Sequence, residues 1–286
     1  MATHVGRRQS HSVGGDIFLF SILFLIGAFM VLPFVYAISQ SLKPMEELFV
    51  FPPKFFVKKP TIDNFANLLL RTNNMWVPLE RYLVNSIWVT IVSTAGGVLL
   101  AAMAAYPLAK FKFPGSNFIS TMMTLALLFV YDVTAVPTYV ILNELRLLDT
   151  QWALILPAMA STLGLYLIKQ FMSQIPTGLI EAAMIDGAGT WRQFWTIIMP
   201  NTKPAVITAI ILTFQAVWNR DSSSLIYTEQ SKNLPALFRQ ITATSTVATA
   251  GISAAVGVIM MLPPIIVFIY SQSRMIETMA HSGLKG

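Results

Sequence analysis

Six long stretches of this chain contain no charged side chain: Ile17–Leu42, Tyr82–Ala109, Phe113–Tyr131, Thr150–Ile168, Pro204–Asn219 and Gln240–Ser273. A hydrocarbon core ~30 Å thick is crossed by ~20 helical residues, because each residue of an α-helix rises ~1.5 Å. Every stretch is therefore long enough for one crossing, the fifth only with the neutral residues that follow Asp221. The expected spans are 17–41, 84–108, 117–141, 152–171, 205–227 and 252–274, and six crossings put both termini on one side. The fold class this predicts is all-α and integral to the membrane.

Composition excludes a soluble domain. Only 11% of residues are charged and 55% are hydrophobic, where soluble chains carry about 25% charge, so lipid has to serve as solvent. The first run is too long for the apolar region of a secretory signal, carries Pro33, and ends in Ser39-Gln40-Ser41-Leu42-Lys43 with no small-residue cleavage site, so it is expected to remain as the first membrane helix. A net charge of +6 points to nucleic acid in a soluble protein, but here the bilayer accounts for it. Membrane lipid is the expected contact, and no nucleic acid. With the N-terminus inside, nine Lys and Arg fall inside and nine outside, so the positive-inside bias does not orient the chain. The absence of Cys removes disulfides and thiol chemistry. His4, His11 and His281 stand far apart, and no metal site is expected.

Residues 1–15 read as a polar, Gly/Ser-rich tail, and 16–286 as the transmembrane domain. The second run carries Ser93, Gly97, Ala101 and Ala105 at four-residue spacing. Small residues on one stripe let helix backbones approach closely in lipid, so this face is expected to pack on another helix. The loop of about 42–83 is expected to be ordered by Phe55, Phe56, Phe65 and Leu68–Leu70.

The connection at 173–204 carries the most information. It contains PTGLIEAAMIDGAGTWRQFWTIIMPNTKP over 176–204. Pro176 suits a helix start, and Gly187 and Gly189 suit a helix stop. Thr190 followed by Gln193 has the spacing of a capping box, with Phe194, Ile197 and Ile198 on one face and Pro200 at the end. Periodicity alone fits an amphipathic hairpin on a membrane surface equally well.

The residue identities go further. Glu181-Ala182-Ala183, Gly187 and Ile197-Ile198-Met199-Pro200 resemble the EAA loop of ABC importer permeases, every spacing met and Met199 for Leu the one departure. Asn85-Ser86, Ala105 to Phe111, Asp186-Gly187-Ala188 and Trp218-Asn219 are similar to the carbohydrate branch, particularly the second permease of maltose-type transporters. The resemblance implies a type I importer fold of six helices in the inner (plasma) membrane with cytoplasmic termini. It also implies that Glu181, Ala182, Ala183, Asp186, Gly187 and Pro200 form the element that docks an ATPase. The implied partners are a second, non-identical permease, two ABC ATPase subunits and an extracytoplasmic sugar-binding protein, which the loop near Thr228–Gly251 either contacts or leaves to solvent. No Gly-x-x-x-x-Gly-Lys-Ser/Thr phosphate loop occurs in the chain, so no cofactor is expected here and ATP is expected on the partner subunits. In Arg220-Asp221 the chain departs from the family's usual Glu and apolar residue.

Candidate path residues are Tyr131, Asp132, Gln215, Trp218, Asn219 and Arg220. An ionisable group inside a membrane faces the bundle interior, a partner or water. Asp132 and Arg220 fall at similar heights, and either pair, line the path jointly, or reach the headgroups. Gln215, Asn219 and Ser222 follow helical spacing as a polar stripe, serving either helix–helix hydrogen bonds or sugar hydroxyls, with Trp218 and Tyr131 offering rings. Sugar import by a non-enzymatic permease subunit is the leading reading. An importer of amino acids, peptides or polyamines, and an ion-coupled carrier, are the alternatives.

Overall fold

The structure is a computed structural model that describes residues 13–73, 77–129, 131–244 and 246–283, all helix, turn and loop. The expected tail lies mostly outside the described residues. The helices are α1 Val13–Ser41, α2 Met45–Leu48, α3 Asp63–Asn73, α4 Leu79–Lys110, α5 Ser116–Ala126, α6 Tyr131–Glu144, α7 Trp152–Met159, α8 Thr162–Gln174, α9 Thr177–Ile185, α10 Thr190–Gln193, α11 Met199–Asn201, α12 Lys203–Trp218, α13 Leu234–Ala243 and α14 Ala250–Gly283. Among the described residues, four helical stretches are long and apolar enough to cross a membrane: Gly14–Ser41, Leu79–Lys110, Trp152–Gln174 and Ala250–Gln272. Thr190–Asn201 with Lys203–Trp218, bent by 78°, makes a fifth.

The chain divides into two compact units, Met1–Asn67 with Ser245–Val258, and Leu68–Thr244 with Ile259–Gly286. In the first, α1 exposes apolar side chains along its length, from Ile17 to Ile38. After Asp16 it carries no charge, so water cannot solvate that surface and lipid or another chain must cover it. The loop after α1 is ordered, as expected. Ser39 Oγ donates to Phe55 O at 2.8 Å and accepts from Val57 N at 3.0 Å. The buried Lys43 gives its Nζ to Lys54 O, and Asn64 Nδ2 donates to Ser41 O and Lys43 O at 2.9 and 2.7 Å.

The second unit is built around α4. Ser93, Gly97, Ala101 and Ala105 are all buried, as the stripe predicts, and α4 packs along α7, α8 and α12. A Cβ on Gly97 would sit 3.2 Å from both Cα and O of Met159, so the two backbones touch there. Among the described residues the buried hydroxyls of Ser93 and Thr94 have no hydrogen-bond partner. These positions therefore use the small size of the residue rather than its polarity. The core beside them holds Ala102, Tyr106, Ile168, Met172, Phe194, Ile198 and Ala209.

The third expected span, 117–141, is two helices. At the end of α5 the bonds tighten to i−3, Leu128 N to Leu125 O and Phe129 N to Ala126 O, and α6 starts anew with Asp132 in its first turn, where a carboxylate favours the helix dipole. The fourth, 152–171, breaks at Ala160-Ser161. Pro157 lies three residues earlier, and Ser161 Oγ restarts the helix by accepting from Gly164 N at 3.2 Å. The fifth stops at Trp218, short of 227.

The contact at Gly97 is testable. Gly97→Ala meets backbone that cannot yield and should destabilise the protein by ~1–3 kcal/mol. At Gly96 an added Cβ meets only the flexible side chain of Met159, so Gly96→Ala should lower the melting temperature far less. Thermal unfolding of both variants in detergent measures the difference.

Candidate functional site

The segment 176–202 is a pair of short helices set at a fixed angle. Pro176 precedes α9, whose Ile180 and Ala183 are buried against the core. Glu181, Ala182 and Asp186 face outward, with Met184 and Ile185 exposed beside them. Ala183 thus belongs to the chain's own packing, and Ala182 is the small residue left on the open face.

Gly187 ends α9 in a Schellman turn. Ala188 N donates to Ala183 O at 2.9 Å and Gly187 N to Met184 O at 3.0 Å, with Gly187 at φ +77°. A Cβ there would meet no atom. The glycine is required by its left-handed backbone, which L side chains adopt at a cost. Gly189 has φ −65° and precedes α10; it opens the second helix rather than closing the first.

The Thr190–Gln193 capping box does not form. Thr190 is already the first helical residue. Gln193 is 3% exposed; it accepts from Tyr106 OH at 3.2 Å and donates through Nε2 to Ala188 O at 2.6 Å. Burial draws the amide inward, where it ties α10 and the preceding turn to α4. The sequence spacing singled out Gln193 only as a capping residue, because its partner Tyr106 lies 87 residues away.

Pro200 does not end the second helix. Having no N–H, it cannot continue the i−4 ladder. The helix accommodates it by widening over Phe194–Ile198, where Met199 N donates to Phe194 O, a π-turn of the kind that relieves such crowding. The helix then continues to Asn201 and bends at Thr202 into α12. Thr202 is fully buried, and its Oγ1 donates to Ile198 O at 2.8 Å. Trp191, Phe194 and Trp195 form an aromatic cluster, with centroid separations of 5.0–5.9 Å, and Phe194 reaches Tyr106 at 5.6 Å.

The candidate path residues are dispersed. Trp218 offers no ring to a ligand. It is 2% exposed, its Nε1 donates to Met260 O at 2.8 Å, and Phe214 stacks on it at 5.9 Å. An indole N–H in an apolar core needs an acceptor, and the α14 backbone supplies it. Asn219 caps α12, its Nδ2 bonded to Gln215 O at 2.9 Å. Because the helix ends there, Ser222 leaves the expected stripe. Tyr131 opens α6, but its side chain lies outside the described residues. Asp132 is exposed on the same turn. Arg220 lines a cavity of about 200 Å³ between α12 and the α7–α8 break, with Ser161 and Thr213. A second, apolar cavity of about 420 Å³ opens on the same break, between Leu100, Leu156 and Thr162.

At the end of α4 far from Lys110, a polar network holds the segment 219–234. Asn85 Nδ2 donates to Gln230 O and Lys232 O, both at 2.8 Å, and its Oδ1 accepts from Gln151 Nε2 at 2.8 Å. Ser86 Oγ accepts from Leu234 N at 2.7 Å. Asn233 caps α13 and bonds Ser222 N and Arg220 O. Asp149, at φ +62°, accepts from Tyr227 N, Thr228 N and Thr228 Oγ1 at 2.5–2.8 Å. The Thr228 hydroxyl, aided by the two backbone donors, holds the Asp149 carboxyl below its ordinary value. Burial works against ionisation of Glu229, but bonds from Lys232 and Tyr82 outweigh it, so this carboxyl too is lowered.

Residues 97–278 match the family described as binding-protein-dependent transport system inner membrane component. The chain belongs to that family. It is a multi-pass inner-membrane component of an ABC transporter. It is 32% identical to Protein LplC of Bacillus subtilis, over 93% of this chain and 94% of that protein. A polygalacturonan/rhamnogalacturonan transport system permease protein of Bacillus subtilis is 29% identical, covering 81% of this chain and 79% of its own length. The sn-glycerol-3-phosphate permease UgpE of Yersinia pestis is 28% identical over 94% and 97%. Among solved structures, a bacterial ABC transporter involved in the import of the acidic polysaccharide alginate superposes with a TM-score of 0.78 at 20% identity, over 92% of this chain and 98% of that one. This likeness gives the type I permease fold.

Two outcomes follow. Gln193→Ala leaves Ala188 O without its buried donor and Tyr106 OH without its acceptor, and should cost ~1–3 kcal/mol with faster amide exchange across α10. Because Asp149 is lowered, its contribution is full above the ordinary value of 3.8 and is lost as pH falls through the lower folded value. Intrinsic-rate-corrected exchange at Tyr227 and Thr228 should therefore be flat from neutral pH to the ordinary value and rise below it; Asp149→Asn should remove that step.

Proposed function

We propose that this chain is one permease subunit of an ATP-driven, binding-protein-dependent importer of a sugar or oligosaccharide. Relatives named for polygalacturonan/rhamnogalacturonan and sn-glycerol-3-phosphate transport match over most of the chain, which supports the saccharide class.

The observation that carries the reading is the α9–α11 element. It is a rigid pair of helices fixed by Gly187 and Gln193, and it exposes Glu181, Ala182, Met184, Ile185 and Trp191. An unpartnered apolar patch rimmed by carboxylates suits docking of another protein. In this reading an ATPase subunit seats there, with Glu181 and Asp186 accepting from donors around its cleft. Ala183 and Pro200 act from behind, by packing and by setting the bend into α12.

ATP is bound by two such partner subunits, and a second, non-identical permease completes the path. A sugar-binding protein delivers substrate on the face opposite the ATPases. In this reading α5 with α6 counts as one crossing and α12 with its bent approach as another, which makes six and puts both termini on one side; docking of a cytoplasmic ATPase on α9 makes that side the cytoplasm.

Ala182→Trp tests the docking. The exposed site tolerates the bulk in this chain, so membrane insertion should be unchanged while co-purification of the ATPase falls at least ~10-fold, given that interface anchors contribute ≥ ~2 kcal/mol. Full co-purification refutes docking through α9. The substrate class is tested in proteoliposomes holding all subunits: sugars should stimulate ATP hydrolysis, and stimulation by amino acids alone, or ATP-independent uptake, overturns the reading.

A further inference from the structure

We propose that the loop after α1 is a lipid-binding anchor, in which Phe49, Phe51 and Phe56 enter the top of the acyl chains while Lys54, Lys58 and Lys59 hold the phosphates of anionic phospholipids. This surface lies wholly in the first unit and is independent of the solute carried.

The loop is held at the height where α1 leaves the hydrocarbon. Tyr36 stands 19 residues beyond Ile17, the start of the charge-free run, which at ~1.5 Å per residue is ~28 Å along a core ~30 Å thick. The chain folds back to that height. Phe55 packs on the Tyr36 ring at 5.3 Å, and Phe56 on Phe55 at 5.0 Å. Ser39 Oγ bridges Phe55 O and Val57 N, and Lys43 Nζ holds Lys54 O. Glu47 accepts from Lys58 N and Lys59 N at 3.0 and 2.8 Å. These bonds fix the backbone on both sides of Phe56 against the last turns of α1.

On this fixed backbone Phe51 is 91% exposed and Phe56 66%, with Phe49 and Val50 open beside Phe51. Aromatic rings held open in this way are unfavourable in water and suit the boundary between headgroups and acyl chains. Cations crowd the same stretch. Between Lys43 and Pro60 four Lys stand against Glu46 and Glu47, and Glu47 has already given both oxygens to backbone N–H groups. Lys43 is buried, whereas Lys54, Lys58 and Lys59 are exposed, and among the described residues none of these three makes an ion pair. Lys58 lies close enough to Lys54 for direct hydrogen bonding and charge repulsion to hold the Lys54 amine below its ordinary value. Two ammonium groups set side by side call for an anion between them, and a phosphate oxyanion supplies it through charge-assisted bonds. A protein partner would need an apolar pocket with an anionic rim at this one height. A bilayer offers both everywhere at that height, and such a site sets the tilt of α1 within it.

The chain has no Cys, so Val50→Cys takes a single small neutral fluorophore and leaves the three Phe in place. The labelled full chain, in the assembly with which it purifies, is placed in nanodiscs of phosphatidylcholine and phosphatidylglycerol. Phospholipid carrying a doxyl group near the top of its acyl chain should quench the label, and aqueous acrylamide should not. Doxyl phosphatidylglycerol should be preferred to doxyl phosphatidylcholine at equal mole fraction. Lys58→Gln should lower that preference about fivefold, the weight of one Lys at an anionic surface, and Lys58→Arg should keep it. Quenching by acrylamide, equal quenching by the two lipids, or an unchanged preference in Lys58→Gln overturns the proposal. Protection from both quenchers overturns it too, because a protein then covers the loop. Should Lys58→Gln not reach the membrane, Lys54→Gln replaces it: the same fall supports the site and an unchanged preference overturns it.

Discussion

The second unit depends on backbone-to-backbone contact along α4. In lipid, apolar side chains gain little from leaving a solvent that resembles them, so close packing and satisfied polar groups must hold helices together. Gly97 lets α4 come within van der Waals distance of the Met159 backbone, and Ala101, Ala102 and Ala105 extend that approach along α8 and α12. The bent helix α7–α8 needs this support. Its backbone ladder is interrupted at Ala160-Ser161, and irregular backbone is tolerated at membrane depth only where protein or a cavity surrounds it. Here both conditions are met.

The two ends of α4 are fixed by different chemistry. At one end Lys110 Nζ donates to Ile175 O at 2.5 Å, closing the C-terminus of α8, and Tyr106 holds Gln193. At the other end Asn85 donates its amide to loop backbone and accepts the Gln151 side chain on its Oδ1, and the Ser86 hydroxyl accepts from loop backbone. Each loop thereby has its polar groups paired by a side chain from the central helix, which is why segments with little secondary structure of their own keep one conformation. Arg220 lies within the loop that this second set of bonds positions.

The sequence was informative wherever one local rule decides the outcome. Apolar length located α1, α4 and α14, four-residue spacing of small side chains located the packed face of α4, and the left-handed turn at Gly187 followed from glycine chemistry. It was less informative where a long-range partner decides. Trp218 read as an aromatic surface until Met260 O proved to be its acceptor. Gln193 read as a capping residue because spacing cannot show that Tyr106 lies within reach. Pro200 read as a terminator because a π-turn that absorbs a proline leaves no signature in periodicity. The break in α7–α8 had its signals, Pro157 and then Ser161 with Gly164, but a charge-free run conceals them. Asp149 and Asn233 act across sequence separations that no local pattern spans.

The helix α12 connects these observations. Its 16 residues span ~24 Å. Its first turn follows the buried Thr202 bend beside the α9–α11 pair, and its last two turns carry Thr213 and Val217 on the wall that Arg220 shares. Trp218 fastens that last turn to α14, so α12 cannot slide along its axis without breaking the indole bond or carrying α14 with it. A tilt about the Thr202 bend would swing the Trp218 end farthest, so the indole bond resists that motion too unless Met260 moves with it. α12 is thus one continuous rod that joins the buried Thr202 bend, beside the α9–α11 pair, to the cavity wall at Thr213 and Val217.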